Sequence, residues 1–254
     1  MSYPLSLLFL AIVLVSCGNN TETDFFTDAD RPDTAKPIIT TGLHSKAFPE
    51  IFDAAFHKKT KVKQGNFSFS FYPYEIGKIN IETGKIIACD PIVAKDALPF
   101  IYQFPTGQFT VALAMAKTYN DERVAFSRIL FSMAAVAKWE LALEKGQEPL
   151  PLKDSATYCY GVDGGTGIFI DSVANREMTQ LSQDKWMDIF VGKMEKSDYK
   201  GYIYDLDERN FAVFSTGWGD GCYSTYVGFD EKGNICQLLT DFGLVEWWKL
   251  DEKK

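Results

Sequence analysis

Residues 66–75 alternate Phe67, Phe69 and Phe71 with Ser68, Ser70 and Tyr72, and a period of two predicts a strand that buries one aromatic face. The isoleucine-rich runs 76–81 and 85–88 flank Glu82-Thr83-Gly84, where the glycine can supply the positive φ of a tight hairpin. A β-meander is expected to begin there. Residues 108–117 alternate again, with Phe109, Val111, Leu113 and Met115 on one face. The stretch 122–143 is rich in Ala and Leu and favours helix by propensity. Its alternation is strand-like, however: Val124, Phe126 and Arg128 interleave with Ala125, Ser127 and Ile129, and Trp139, Leu141 and Leu143 with Glu140 and Ala142. Two strands are predicted.

Helical spacing is clearest over 175–196, where Met178, Leu181, Met187, Phe190 and Met194 recur every three or four residues, with a break near Ser182 that could cap a second helix. A shorter helix is expected over 49–59, from Ile51, Phe52, Ala55 and Phe56. Strands return at 202–204, 211–215, 223–229 and 235–239, the last two joined by the turn Asp230-Glu231-Lys232-Gly233-Asn234. Runs of strands with segregated helices give an α+β class, predominantly antiparallel sheet of meander or sandwich type.

The N-terminus follows neither pattern. Residues 5–16 are apolar except for Ser6 and Ser16, too short a run for a bilayer, which needs about 20 residues, but the length of a signal-peptide core. Leu14-Val15-Ser16-Cys17-Gly18 resembles the lipobox of bacterial lipoproteins. The resemblance implies cleavage before Cys17, a diacylglycerol on its thiol and a fatty acid such as palmitate on the new amino group. The n-region Met1-Ser2-Tyr3-Pro4 departs from the pattern in carrying no Lys or Arg. Residues 17–37 are Asn-, Thr- and Asp-rich, a composition that cannot offset its ordering entropy by burial. The expected organisation is a lipoprotein signal over 1–16, a polar tether over 17–37 and one globular domain over 38–254.

Composition narrows the chemistry. Lys and Arg number 26 against 34 Asp and Glu, for a net charge of -8, which opposes a phosphate-binding surface and predicts no nucleic-acid partner. The only histidines are His44 and His57, so His metal sites and Ser-His-Asp triads have little material.

Several segments together resemble one bacterial family, called domain of unknown function 4241. They are Gly84-Lys85-Ile86-Ile87-Ala88-Cys89-Asp90-Pro91, Phe104-Pro105-Thr106-Gly107-Gln108-Phe109, Trp139-Glu140-Leu141-Ala142-Leu143, Tyr160-Gly161-Val162-Asp163-Gly164-Gly165-Thr166-Gly167-Ile168-Phe169-Ile170-Asp171, Ser215-Thr216-Gly217-Trp218-Gly219-Asp220-Gly221-Cys222-Tyr223 and Thr240-Asp241-Phe242. The resemblance spans about residues 70–245 and implies no particular activity.

Candidate chemistry lies at the ends of apolar runs. Asp90, Asp163, Asp171, Asp220 and Asp241 all stand beside Gly or Pro or close a strand-like run. Three of them gathered together would suit Ca²⁺ or Mg²⁺, and a pair could act as acid and base, so Asp163, Asp171 and Asp220 are the catalytic candidates. Against this, turn aspartates commonly bond their own backbone, no EF-hand spacing occurs, and no cofactor is expected. Asp163-Gly164-Gly165-Thr166 also resembles the first phosphate loop of sugar kinases, but too little chain follows for the rest of such a fold. Trp218 and Tyr223, on a glycine-rich loop, are the ligand-binding candidates, while Trp247 and Trp248 are expected to cover an open end of the domain.

Four cysteines follow Cys17. For Cys222 and Cys236, facing Asp230 with Asn234 across the turn puts Gly228 opposite Cys236 and Cys222 opposite Phe242, about 20 Å from a partner that must lie within about 7 Å. No such bond is expected, and Cys89, Cys159, Cys222 and Cys236 are all predicted to be free packing residues.

The expected function is a binding or interaction module, anchored to membrane by lipid in the cell envelope (the outer membrane if there are two), with a protein or small-molecule ligand. The alternatives are a metal- or carboxylate-dependent hydrolase, and an inhibitor of an envelope toxin whose basic surface would suit this acidic chain.

Overall fold

A computed structural model describes residues 37–39, 49–152 and 157–248. The apolar run, Cys17 and the tether through residue 36 lie outside the described residues. Among the described residues thirteen strands form two sheets. β1 (Pro37–Ile39), β2 (Lys61–Gln64), β3 (Phe67–Ile81), β5 (Gly107–Lys117), β6 (Glu122–Leu130), β13 (Ile235–Asp241), β12 (Gly221–Phe229) and β7 (Lys138–Leu141) lie in that order in the large antiparallel sheet. The short β8 (Tyr160–Val162) also pairs with β12. The small sheet runs β10 (Gly201–Leu206), β11 (Arg209–Ser215), β9 (Thr166–Asp171), β4 (Ile86–Cys89). The fold is the α+β, mainly antiparallel class that the periodicity predicts.

The layering explains the burial. β9 is buried at every position: Phe169 packs with Phe214 into the core shared with the large sheet, while Ile168 and Ile170 face the helices on the other side. A strand covered on both faces reads as a continuous apolar run. The helical layer is α2 (Ser172–Met178) and α3 (Gln183–Met187), which continues through a π-helical turn, Asp188–Lys193, into Met194–Lys196. Asp171 caps α2, accepting from Val173 N at 3.0 Å, so this helix starts before residue 175. Ser182 caps α3, accepting from Lys185 N at 3.3 Å, at the expected break. Over 49–59 only α1 (Ile51–Ala54) is helical.

The expected hairpin at Glu82-Thr83-Gly84 is a corner between sheets. β3 is one strand of 15 residues that pairs with β5 from Ser70 to Ile81, and β4 leaves to pair with β9. Gly84 has the positive φ (69°) assigned to it, but Glu82 N and Thr83 N donate to the Asp171 carboxylate at 3.1 and 2.9 Å, which fixes the corner on the small sheet. Pro73 sits within β3 because, beyond Ser70, that strand has only β5 as a ladder partner, and a residue without N–H is tolerated on an unpaired edge. A bulge between Glu75 and Gly77 (φ 126°) interrupts the alternation there.

The C-terminal segment closes one side of the core. Trp247 is buried and donates from Nε1 to Asp241 Oδ2 at 2.8 Å, and Gly243 N donates to Oδ1 at 2.8 Å; Trp248 stays partly exposed. Burial pushes the Asp241 carboxyl up from 3.8 to about 6, against the pull of those two donors. A raised folded-state value means that ionisation opposes folding. The penalty is complete above about pH 6 and disappears as the pH falls toward 4, where the folded form takes up its proton first. The stability of the native protein relative to Asp241→Asn is therefore expected to increase by about 2 kcal/mol between pH 7 and pH 4. Urea denaturation of both proteins across that range measures it, and parallel pH curves would refute it.

Candidate functional site

Three of the quoted segments meet at one end of β9. They are the turn after β4 (Asp90 to Val93), the β8–β9 tip (Asp163 to Gly165) and the β11–β12 loop (Thr216 to Asp220). Asp90 is the hub. It is 1% exposed; its Oδ1 accepts from Ile92 N at 2.7 Å, and its Oδ2 from Asp163 N at 2.8 Å and Gly164 N at 3.1 Å. An aspartate before proline starts the helical turn Pro91–Val93 and, with its second oxygen, holds a glycine tip about 70 residues later in the chain. On the other flank, Gly165 N donates to Asp220 Oδ1 at 3.2 Å and Thr216 N donates to Gly165 O at 3.1 Å.

The β11–β12 loop is built around Gly217, whose φ of 43° and surroundings both require glycine. A Cβ there would lie 2.6 Å from Leu244 and Phe242 side-chain atoms. The Tyr223 ring is buried and its hydroxyl donates to Gly219 O at 2.9 Å; burial and then Asp220 push that phenol up to about 12. Tyr223 thus props the loop from inside. Trp218 is half-buried, with the Arg123 guanidinium 5.4 Å from its ring centre, and Arg123 also donates to Gly217 O at 3.0 Å.

Glu122, the neighbour of Arg123, extends the face. Tyr72 donates to Glu122 at 2.5 Å, Lys200 Nζ lies 3.4 Å from Glu122 and 2.9 Å from Asp198, and the same ammonium sits 5.8 Å from the Tyr74 ring centre. Asp198 and Tyr199 are consecutive left-handed residues (φ 57° and 51°), which is costly for a bulky side chain. They end the last helical turn, with Tyr199 N donating to Met194 O at 3.1 Å. Ser215 Oγ donates to Tyr199 O. The Tyr199 side chain is held outward, 63% exposed.

The candidate carboxylates do not gather. Asp163 is exposed at the tip and Asp220 flanks it, but Asp171 lies at the far end of β9, five steps or about 17 Å along the strand from Thr166. Its oxygens are spent on Glu82 N, Thr83 N and Val173 N. Among the described residues no three His, Cys, Asp or Glu side chains are grouped to hold a metal ion. The turn-bonding expected of Asp163 itself is done by Asp90, for the Asp163 carboxylate accepts no hydrogen bond among the described residues. Asp90 is one of the five aspartates the sequence pattern marks, beside Pro91, but its bonding across to 163–164 is not visible there, and Arg123 under Trp218 carries no pattern at all.

The expectation of four free cysteines is overturned. β8 folds antiparallel onto β12 with Cys222 opposite Gly161 and Tyr223 opposite Tyr160, which brings Cys159 to a Cα distance of 5.3 Å from Cys222, and the two are bonded. Both are exposed. Cys89 and Cys236 are free and buried as predicted, and no bond joins Cys222 to Cys236. The hairpin register is shifted by one residue, Gly228 facing Gln237, because a bulge at Gly228/Phe229 absorbs Cys236. Beside the disulfide, Glu144, Tyr158, Tyr160 and Thr225 line a pocket of about 20 Å³, room for one water. Burial raises the Glu144 carboxyl pKa there.

No curated protein and no solved structure matches the chain. Residues 79–240, which contain Asp90, Arg123, Asp163, Trp218 and both bonded cysteines, match the family described as "Protein of unknown function (DUF4241)", and the chain belongs to that family.

Proposed function

We propose that this protein is a bacterial envelope lipoprotein whose folded domain is a binding module, presenting the face around Asp163, Trp218 and Tyr199 to a protein or small-molecule ligand. The observation that carries the reading is how the aspartates are used. Asp90, Asp171 and Asp220 give their oxygens to backbone N–H groups, which rigidifies loops for recognition and leaves them poorly suited to proton transfer. A hydrolase built on Asp163, Asp171 and Asp220 loses its premise, since Asp171 stands at the far end of β9 from the other two. Exposed aromatic rings beside paired charges suit an interface. The lipobox-like Cys17 and the exposed disulfide, a bond of oxidising compartments, support export.

Hydroxyl-radical footprinting, performed on native envelopes and on the detergent-purified protein, tests the reading. Tyr199 and Trp218 are expected to be protected in the envelopes and to become oxidisable on purification. Tyr119 and Met133, 102% and 88% exposed, serve as controls that oxidise in both. Equal oxidation of Tyr199 and Trp218 in the two preparations would count against it.

A further inference from the structure

We infer that the Cys159–Cys222 disulfide is a thiol-exchange site, and that reducing it loosens the β8–β9 tip while the rest of the domain stays folded. Both of its cysteines are exposed, whereas Cys89 and Cys236 are buried. Among the described cysteines an attacking thiolate therefore reaches this pair and not the other two, and accessible disulfides are the labile, regulatory ones. The bond also reinforces a weak element. β8 is three residues long and pairs only at Gly221, Cys222 and Tyr223, and Gly161 contributes no side chain to that pairing. Directly after β8 come Asp163 N and Gly164 N, the two donors that tie the tip to Asp90.

The reductant is a dithiol, either a small molecule or the active site of a thiol–disulfide oxidoreductase. Its first thiolate attacks Cys222 Sγ, and the Cys159–Cys222 bond breaks with its electron pair on Cys159, which takes a proton from water. The second thiolate of the reductant then attacks the reductant's first sulfur in the mixed disulfide and releases Cys222 as a thiolate, which also takes a proton from water to replace one the dithiol gave up. Two protein thiols and one oxidised dithiol result, so atoms and electrons balance. The inference stands apart from the binding reading, because it concerns the mobility of the tip and not its ligand.

The test treats the purified full-length protein, in detergent and without denaturant, with increasing dithiothreitol. Alkylation mapped by mass spectrometry and amide hydrogen exchange are followed together. Cys159 and Cys222 are expected to alkylate while Cys89 and Cys236 do not, and exchange at Asp163 and Gly164 should quicken by about tenfold or more while β5 and β13 stay protected. A Cys159→Ser, Cys222→Ser double variant should show the fast exchange without reductant. If that variant fails to fold, the reduction series alone decides. Alkylation of all four cysteines together, or reduction with unchanged exchange at 163 and 164, would overturn the inference.

Discussion

Replacing Asp90 with alanine is expected to lower the unfolding free energy by about 3 kcal/mol, a sizeable share of the 5–15 kcal/mol typical of a domain. The carboxylate is 1% exposed and accepts from Ile92 N, Asp163 N and Gly164 N. Alanine leaves all three donors without their partner. Hydrogen bonds to a charged acceptor contribute about 1.5–3 kcal/mol each, but the tip and the turn border solvent, so water replaces part of the loss. Asp90→Asn keeps one acceptor oxygen and should cost about half as much. Urea midpoints at constant slope measure both, and a loss below about 1 kcal/mol for the alanine variant would show that Asp90 does not hold its own turn to the β8–β9 tip.

Phe52→Ala is expected to cost about 4 kcal/mol, the usual range for a large aromatic removed from a core. Phe52 is fully buried, and its ring centre lies 4.8 Å from Tyr226, 5.2 Å from Trp139, 5.2 Å from Trp247 and 5.6 Å from Phe126. These rings come from β12, β7, the C-terminal segment and β6, so one side chain joins four elements. α1 has four residues and no side-chain cap, too little to persist without that packing. The fully exposed Tyr119, replaced by alanine, should change stability by less than about 0.5 kcal/mol. Equal losses from the two substitutions would contradict this account of the core.

Much of the fold was legible because strand periodicity records which side of a strand is buried. Phe67, Phe69 and Phe71 announce β3, and Ser182 announces α3, since both signals are local. Periodicity does not name the neighbouring strand. Ile86–Cys89 lies close behind β3 in sequence, yet pairs with β9, about 80 residues on; a turn compatible with a hairpin could not reveal that Asp171 would capture Glu82 N and Thr83 N. β8 was the least legible element. Three residues containing a glycine give no alternation, and without β8 the bond from Cys159 to Cys222, 63 residues apart, has no visible geometry. The site was half visible for the same reason. Glycines and aspartates mark Asp163, Trp218 and Asp220 as one kind of surface, but the placing of Asp171 at the opposite strand end depends on the length of β9, and Arg123 reaches Trp218 only through tertiary packing.

The central claim, an exported and tethered module with an oxidised clasp, is tested most directly by the intact mass of the protein extracted from membranes under thiol-blocking conditions. The expected species begins at Cys17, carries a diacylglycerol and an amide-linked fatty acid there, is lighter by the two hydrogens of a single disulfide, and takes up blocking groups only after unfolding, at Cys89 and Cys236. A chain that retains residues 1–16, bears no lipid and has Cys159 and Cys222 as free thiols would contradict it.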